Sequence, residues 1–312
     1  MAEPISTSGE PARIGSSNHR AGRYAPSPSG ALHIGNLRTA LLAWAFARAE
    51  GRPFVVRVED IDDYKTRDFG LQQLEDLAAL GLDWDGEVVW SSYRHAHYQQ
   101  AIEQLTSAGL TYPCYCSRKD ILEAPRAPHD PPGTYPGTCA NLTEDERAER
   151  QATRDRPPAI RVRTNRAQVE VTDRLHPPQV QVLDDVVIQR FDGTPAYNLT
   201  VVVDDHLDGV GQVVRGDDLL PVTGRQIWLA RHLGIPVPEY AHVPLVLNQA
   251  GQRLAKRDGA VTLADRLALG ETVGDVIAAM ATSLHHSPTR TAQAFLDAFN
   301  PTLLPRTPWV FA

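Results

Sequence analysis

His33 and Asn36 stand three residues apart in Ser27-Pro28-Ser29-Gly30-Ala31-Leu32-His33-Ile34-Gly35-Asn36, just downstream of Arg23. An imidazole and an amide at that spacing can reach the same phosphates. The setting suits them: a short strand enters a Pro/Ser/Gly loop, and the loop feeds a helix-forming run from Leu37 to Ala49. Backbone N–H groups at such a helix start face a polyanion. A second chemical group is the acidic set Glu59, Asp60, Asp62 and Asp63, which closes the strand-like run Phe-Val-Val-Arg-Val-Glu from 54 to 59. In open α/β sheets ligands lie beyond the carboxyl ends of the strands, which is where these carboxylates fall. The third group is Cys114, Cys116 and Cys139, all the cysteines of the chain. Three thiols cannot pair completely, and nothing points to an oxidising compartment. A zinc ion wants four ligands held tetrahedrally; the cysteines supply three, and the fourth is open between His129 and Tyr135.

Alternating strand-like and helix-like blocks predict an α/β architecture of the doubly wound, Rossmann type. Helical spacing covers Phe69 to Leu80 and Arg94 to Ala108, each stopped by a glycine. From 113 to 158 prolines multiply and apolar periodicity fades, which marks an insert carrying the cysteines. Strand-like runs return at Val180–Phe191, Tyr197–Asp204 and Gly211–Asp218. A helix is predicted over Thr223–Leu233, then an extended run over Val243–Asn248 and a loop over Gln252–Gly259. The remainder reads as helical. The expected division is a polar arm over 1–20, two halves of a catalytic domain at 21–112 and 159–264, the insert at 113–158, and a helical region at 265–312.

A chain of 312 residues can bury a substantial core, with one large domain and a small insert. Net charge is −7, the opposite of a global nucleic-acid-binding signature. The densest basic segment runs from Arg147 to Arg166 and is interleaved with Glu144, Asp145, Glu146, Glu149 and Asp155, so it reads as a salt-bridged surface. No positively charged start precedes an apolar segment, and no stretch approaches the roughly 20 apolar residues of a membrane helix. A soluble, monomeric, cytoplasmic protein is expected.

The run Arg-Tyr-Ala-Pro-Ser-Pro-Ser-Gly-Ala-Leu-His-Ile-Gly from Arg23 resembles the first signature of the class I aminoacyl-tRNA synthetases, in the glutamyl/glutaminyl branch. The resemblance spans roughly residues 22 to 265. It implies that His33 and Asn36 hold ATP, taken with magnesium. Arg253-Leu254-Ala255-Lys256-Arg257 resembles the mobile second signature, with Arg253 and Ala255 departing from its usual lysine and serine. Lys256 would then offset charge on the leaving pyrophosphate. The family's amino-acid pocket maps onto Arg23, Ser27, Glu59, Tyr197 and Arg215. Glu59 would attract the α-ammonium of L-glutamate, and the two arginines would share its carboxylates, as planar guanidinium forks do well. The cysteine spacing is similar to that of the glutamyl-Q branch, in which a tyrosine four residues before the last cysteine is the remaining zinc ligand; Tyr135 has that place.

The chain looks like a catalytic domain without the anticodon-binding half. The glutamyl-Q branch with that layout implies glutamyl-adenylate formation and transfer to the queuosine of tRNA(Asp). Two other readings stand beside it: a shortened enzyme charging tRNA(Glu), and a non-catalytic paralogue binding adenylate or RNA. The second draws on the altered loop around Lys256.

Overall fold

A computed structural model describes residues 19–62, 67–124, 134–254, 259 and 261–311. β1 (Ala21–Tyr24) is buried throughout and leads through the Pro/Ser/Gly loop into α1 (Ile34–Ala49). Nearly all of α1 is covered, so it forms a central element and not an amphipathic lid. A Cβ on Gly22 would stand 2.6 Å from Ala47 Cβ, so glycine lets β1 and α1 approach closely. Then come β2 (Phe54–Val58), α2 (Arg67–Ala79), β3 (Val89–Trp90) and α3 (His95–Ser107). The next stretch carries β4 (Thr111–Cys114), α4 (Arg118–Glu123), α5 (Glu144–Ala152), β5 (Ala159–Val162), β6 (Gln168–Val171), β7 (Gln179–Val182) and β8 (Val187–Gln189). The chain returns to the main layer with α6 (Tyr197–Leu207), β9 (Val210–Gly216), α7 (Thr223–Leu233), β10 (Glu239–Val243) and β11 (Val246–Leu247). It ends in α8 (Leu263–Ala268), α9 (Val273–Ser283), α10 (Ala292–Ala298) and β12 (Trp309–Val310).

The main sheet has the order β10-β9-β1-β2-β3 with every pairing parallel. Strand side chains alternate between its faces. Tyr24, Phe54, Val56, Val214 and Val243 pack with α1, α2 and the C-terminal helices. Ala21, Val55, Val210, Val213 and Tyr240 pack with α3, α6 and α7. This is the doubly wound α/β fold expected from the sequence. The order reverses between β1 and β9, and a crevice opens at that switch point. β4, β5 and β8 form a separate antiparallel sheet, β6 and β7 a hairpin, and Tyr112, Cys114, Tyr115, Tyr135, Cys139 and Ala140 a small core of their own.

Three sequence expectations change. Tyr197–Asp204 is not a strand: it opens α6. Its Thr200-Val201-Val202-Val203 run has strand propensity, but packing of α6 against α3 and α7 overrides a weak local preference. Val180–Phe191 divides into β7 and β8, which belong to different sheets. Val243–Asn248 divides at Pro244, which has no N–H for a ladder. Among the described residues no helix is long and apolar enough to cross a membrane.

Candidate active site and metal centre

A cleft of about 400 Å³ lies at the switch point, and Arg23, Ser27, His33, Asn36, Glu59, Tyr197 and Arg215 all line it. These positions, chosen from separate segments of sequence, are brought together. Arg23 comes from β1, Arg215 from β9, Glu59 from the end of β2, and Tyr197 from the first turn of α6. The loop is held from two sides. Glu59 N donates to Pro26 O at 2.9 Å. Gln73 Nε2 donates to Ser27 O at 3.1 Å and to Gly30 O at 2.7 Å.

His33 is the N-cap of α1. Its Nδ1 accepts from Asn36 N, and Asn36 Oδ1 accepts from His33 N, both at 3.2 Å. An accepting Nδ1 carries no proton, so the neutral ring has its N–H on Nε2. The capping box therefore fixes both the orientation and the tautomer of the imidazole. Gly35 has its own reason: a Cβ there would lie 2.9 Å from His33 Cε1. His33 also bridges Thr262, and Ile34 N donates to Val261 O at 2.8 Å, so the segment after residue 260 returns to this helix start. Lys256, with Ala255, lies outside the described residues. Arg253 lines the cleft and pairs with Asp218 at 2.7 Å.

Behind the cleft is a buried charge cluster that sequence reasoning missed. Arg57, fully buried on β2, reaches Asp208 at 2.5 Å, Asp205 at 2.7 Å and Glu59 at 3.3 Å. Asp205 Oδ1 also meets Arg23 Nε at 3.4 Å, and Arg94 completes the group on Asp204 at 3.0 Å and on Asp208. The available signal was the spacing of Asp204 and Asp208, one helical turn apart, which reading the segment as a strand concealed. Burial alone would push Asp205 up, but Arg23 and Arg57 outweigh it and hold its carboxyl below the usual range. Glu59 goes the other way, since burial raises it more than Arg57 and Arg23 lower it. The remaining acids serve elsewhere. Asp60 accepts from Ser92 N and Oγ, both at 2.8 Å, and Asp62 pairs with Arg190 at 2.6 Å. Asp63 lies outside the described residues.

Arg215 is buried on the β9 side. Its Nε donates to His242 Nε2 at 3.0 Å and its Nη2 to Thr223 Oγ1 at 2.9 Å. With Arg253 and Asp218 of the lining paired to each other, the cleft offers the guanidinium groups of Arg23 and Arg215, the carboxyl of Glu59, the Tyr197 ring and a helix start. That set complements a molecule carrying both carboxylate and ammonium groups next to a phosphate chain.

The cysteine cluster lies apart from the cleft. The Sγ atoms of Cys114, Cys116 and Cys139 are all within 4.8 Å of one another, with Cys116 and Cys139 at 3.6 Å. Tetrahedral sulfur ligands about 2.3 Å from zinc would be roughly 3.8 Å apart. The Tyr135 hydroxyl is 3.5 Å from Cys114 Sγ and accepts from Cys139 N at 2.9 Å, so its oxygen faces the sulfurs. Hydrogen bonds from Cys116 and Cys139, with Arg161 beside it, hold the Cys114 thiol below the ordinary range. The three sulfurs could hold a metal ion. His129 lies outside the described residues. Arg161, counted above with a solvated basic surface, is instead buried against Cys114 and stacks 3.7 Å from the Tyr135 ring centre.

Residues 21–283 match the family of class I tRNA synthetases (E and Q), catalytic domain. The glutamyl-Q tRNA(Asp) synthetase of Nocardia farcinica is 58% identical over 292 residues, covering 93% of this chain and 92% of that protein. That of Cutibacterium acnes is 48% identical over 271 residues, covering 85% and 76%. In fold the chain is similar to the glutamate–tRNA synthetase of Elizabethkingia anophelis, with a TM-score of 0.78 at 23% identity, covering 94% of this chain and 68% of that one. The family match takes in every residue lining the cleft, and the chain accordingly belongs to the class I tRNA synthetases of the E and Q type, in the branch of the glutamyl-Q tRNA(Asp) synthetases.

Proposed function

We propose that this chain is a ligase that activates L-glutamate with Mg-ATP and transfers the glutamyl group to the queuosine base of tRNA(Asp). The convergence of Arg23, Glu59, Tyr197 and Arg215 with the His33–Asn36 helix start in one cleft carries this reading. Glutamate has two carboxylates and one ammonium; two arginines and Glu59 match that charge pattern. In the first step an oxygen of the α-carboxylate attacks the α-phosphorus. A carbonyl–O–P bond forms, and the bond to the pyrophosphate oxygen breaks with its electron pair. His33 donates from Nε2 to phosphate oxygen, Asn36 steadies the same phosphates, and Lys256 takes the growing charge on pyrophosphate. In the second step a queuosine hydroxyl attacks the carbonyl carbon; AMP leaves with the bonding pair, and the hydroxyl proton passes to a phosphate oxygen or to water. No protein nucleophile is required, because positioning and electrostatics supply the rate.

Cys114, Cys116, Cys139 and Tyr135 would hold one zinc ion, which would tie the insert together rather than act on substrate. The cytoplasm, with its reducing thiol poise, suits three unpaired cysteines. Glutamate-dependent exchange of pyrophosphate into ATP tests the first step. Exchange with L-glutamate well above that with aspartate or glutamine is expected; no exchange with glutamate would overturn activation.

A further inference from the structure

We infer that Asp173 and His242 act as a buried positioning pair that sets the orientation of Arg215, and through it the affinity for a substrate carboxylate. The inference rests on Arg215 serving the amino-acid pocket, as proposed above. In the parallel register of β9 and β10, His242 is the partner of Arg215, so the two side chains lie side by side on one face of the sheet. His242 is fully buried and Asp173 nearly so. His242 Nδ1 lies 2.6 Å from Asp173 Oδ2. The same carboxylate accepts from the backbone N–H groups of Leu175 at 2.8 Å, His176 at 3.0 Å and His242 at 3.1 Å.

A carboxylate with three backbone N–H donors pointed at it remains an anion and can only accept from His242 Nδ1, so the proton of the neutral imidazole sits on Nδ1. Nε2 then presents a lone pair, and it presents it to Arg215 Nε–H. The opposite tautomer would set two N–H groups against each other. A protonated ring would set two cations against each other. The other groups facing His242 leave this arrangement intact: Tyr240 stacks on its ring at 5.8 Å, His176 Nε2 reaches its backbone carbonyl at 2.9 Å, and Thr223 Oγ1 is 3.1 Å from Nε2. With Nε held by His242 and Nη2 by Thr223, the guanidinium plane is fixed before substrate arrives. Pre-orientation of that kind lowers the ordering cost of binding. Asp173 does not line the cleft and acts on Arg215 through the tautomer of His242.

The test uses the full chain and three variants: His242→Leu, His242→Gln and Asp173→Asn. Glutamate-dependent pyrophosphate exchange gives separate KM values for glutamate and ATP, and thermal unfolding reports folding. Leu removes the acceptor from Arg215. Gln restores an acceptor oxygen toward Arg215 and an N–H toward Asp173. Asn can offer its own N–H to Nδ1 and so invert the tautomer. Losing a charge-assisted hydrogen bond predicts that Leu raises the glutamate KM roughly ten- to a hundredfold with the ATP KM unchanged. Gln should recover most of that loss, and Asn should raise the glutamate KM without altering either cleft arginine. A folded Leu variant with wild-type glutamate KM would overturn the inference, as would equal losses in Leu and Gln. Should Leu fail to fold, an unchanged glutamate KM in Asp173→Asn would overturn it. Wild-type protein without any exchange would instead remove the proposed function, a separate outcome.

Discussion

Replacing Arg215 by alanine should disable glutamate binding while leaving the fold and ATP binding intact. The side chain is 4% exposed, lines the cleft, and is held by His242 and Thr223. A carboxylate arriving opposite alanine would lose its fork of donors while Glu59 remains in the same cleft. Truncating one partner of a buried, hydrogen-bonded charge pair costs about 2–5 kcal/mol. At 1.4 kcal/mol per factor of ten, the glutamate KM should rise between about 30-fold and a few thousandfold. The cost to folding should be smaller. His242 Nε2 would keep Thr223 Oγ1 at 3.1 Å as a neighbour, and the single hydroxyl proton can turn to it from Leu219 O, so at most one buried acceptor goes short. Arg215→Lys should be almost as impaired, because an ammonium supplies neither the Nε donor to His242 nor the planar fork. Pyrophosphate exchange at varied glutamate and varied ATP measures both constants. A folded Arg215→Ala protein whose glutamate KM matches wild type would refute a carboxylate role for Arg215.

Gly35→Ala would bring a Cβ to 2.9 Å from His33 Cε1 and 3.1 Å from Val246 Cβ. The imidazole must move, and exchange turnover should fall roughly ten- to a hundredfold, as misplacement of a reacting group by about 1 Å does; unaltered turnover would show that the ring position is unimportant. Cys116→Ser should lower both bound zinc per chain and the thermal midpoint, and full zinc content in that variant would exclude Cys116 as a ligand. Glu59→Gln should raise the glutamate KM yet stabilise the free protein at neutral pH. Burial raises the Glu59 pKa in the folded state, so its ionisation erodes stability as pH climbs from the ordinary carboxylate range through the raised value. The gain in midpoint for Gln should therefore be larger at pH 8 than at pH 4, and a gain independent of pH would contradict the assignment.

The parts of the site that sequence made legible are local ones. The β1–loop–α1 unit carries its cap, its glycine and its helix signal within one short run, and the three cysteines declare themselves by number and spacing. Arg23, Glu59, Tyr197 and Arg215 were reached through a family pattern, and the parallel sheet then brings them to one crevice. What escaped is what depends on partners far along the chain. Arg57 reads as an odd residue in an apolar strand until Asp204 and Asp205 of α6, with Asp208 just after that helix, arrive about 150 residues later. Those aspartates were hidden because four residues with strand propensity precede them. Asp173 lies in the turn between β6 and β7, and no local pattern connects it to His242 on β10. Buried ion clusters are satisfied by tertiary structure alone, so their members look like isolated charges in sequence.

Transfer of labelled glutamate, in the presence of ATP, to three purified tRNAs tests the central claim most directly: tRNA(Asp) bearing queuosine, tRNA(Asp) lacking it, and tRNA(Glu). Label confined to the queuosine-bearing tRNA(Asp) is the predicted result. Label on tRNA(Glu), or equal label on the two forms of tRNA(Asp), would contradict it.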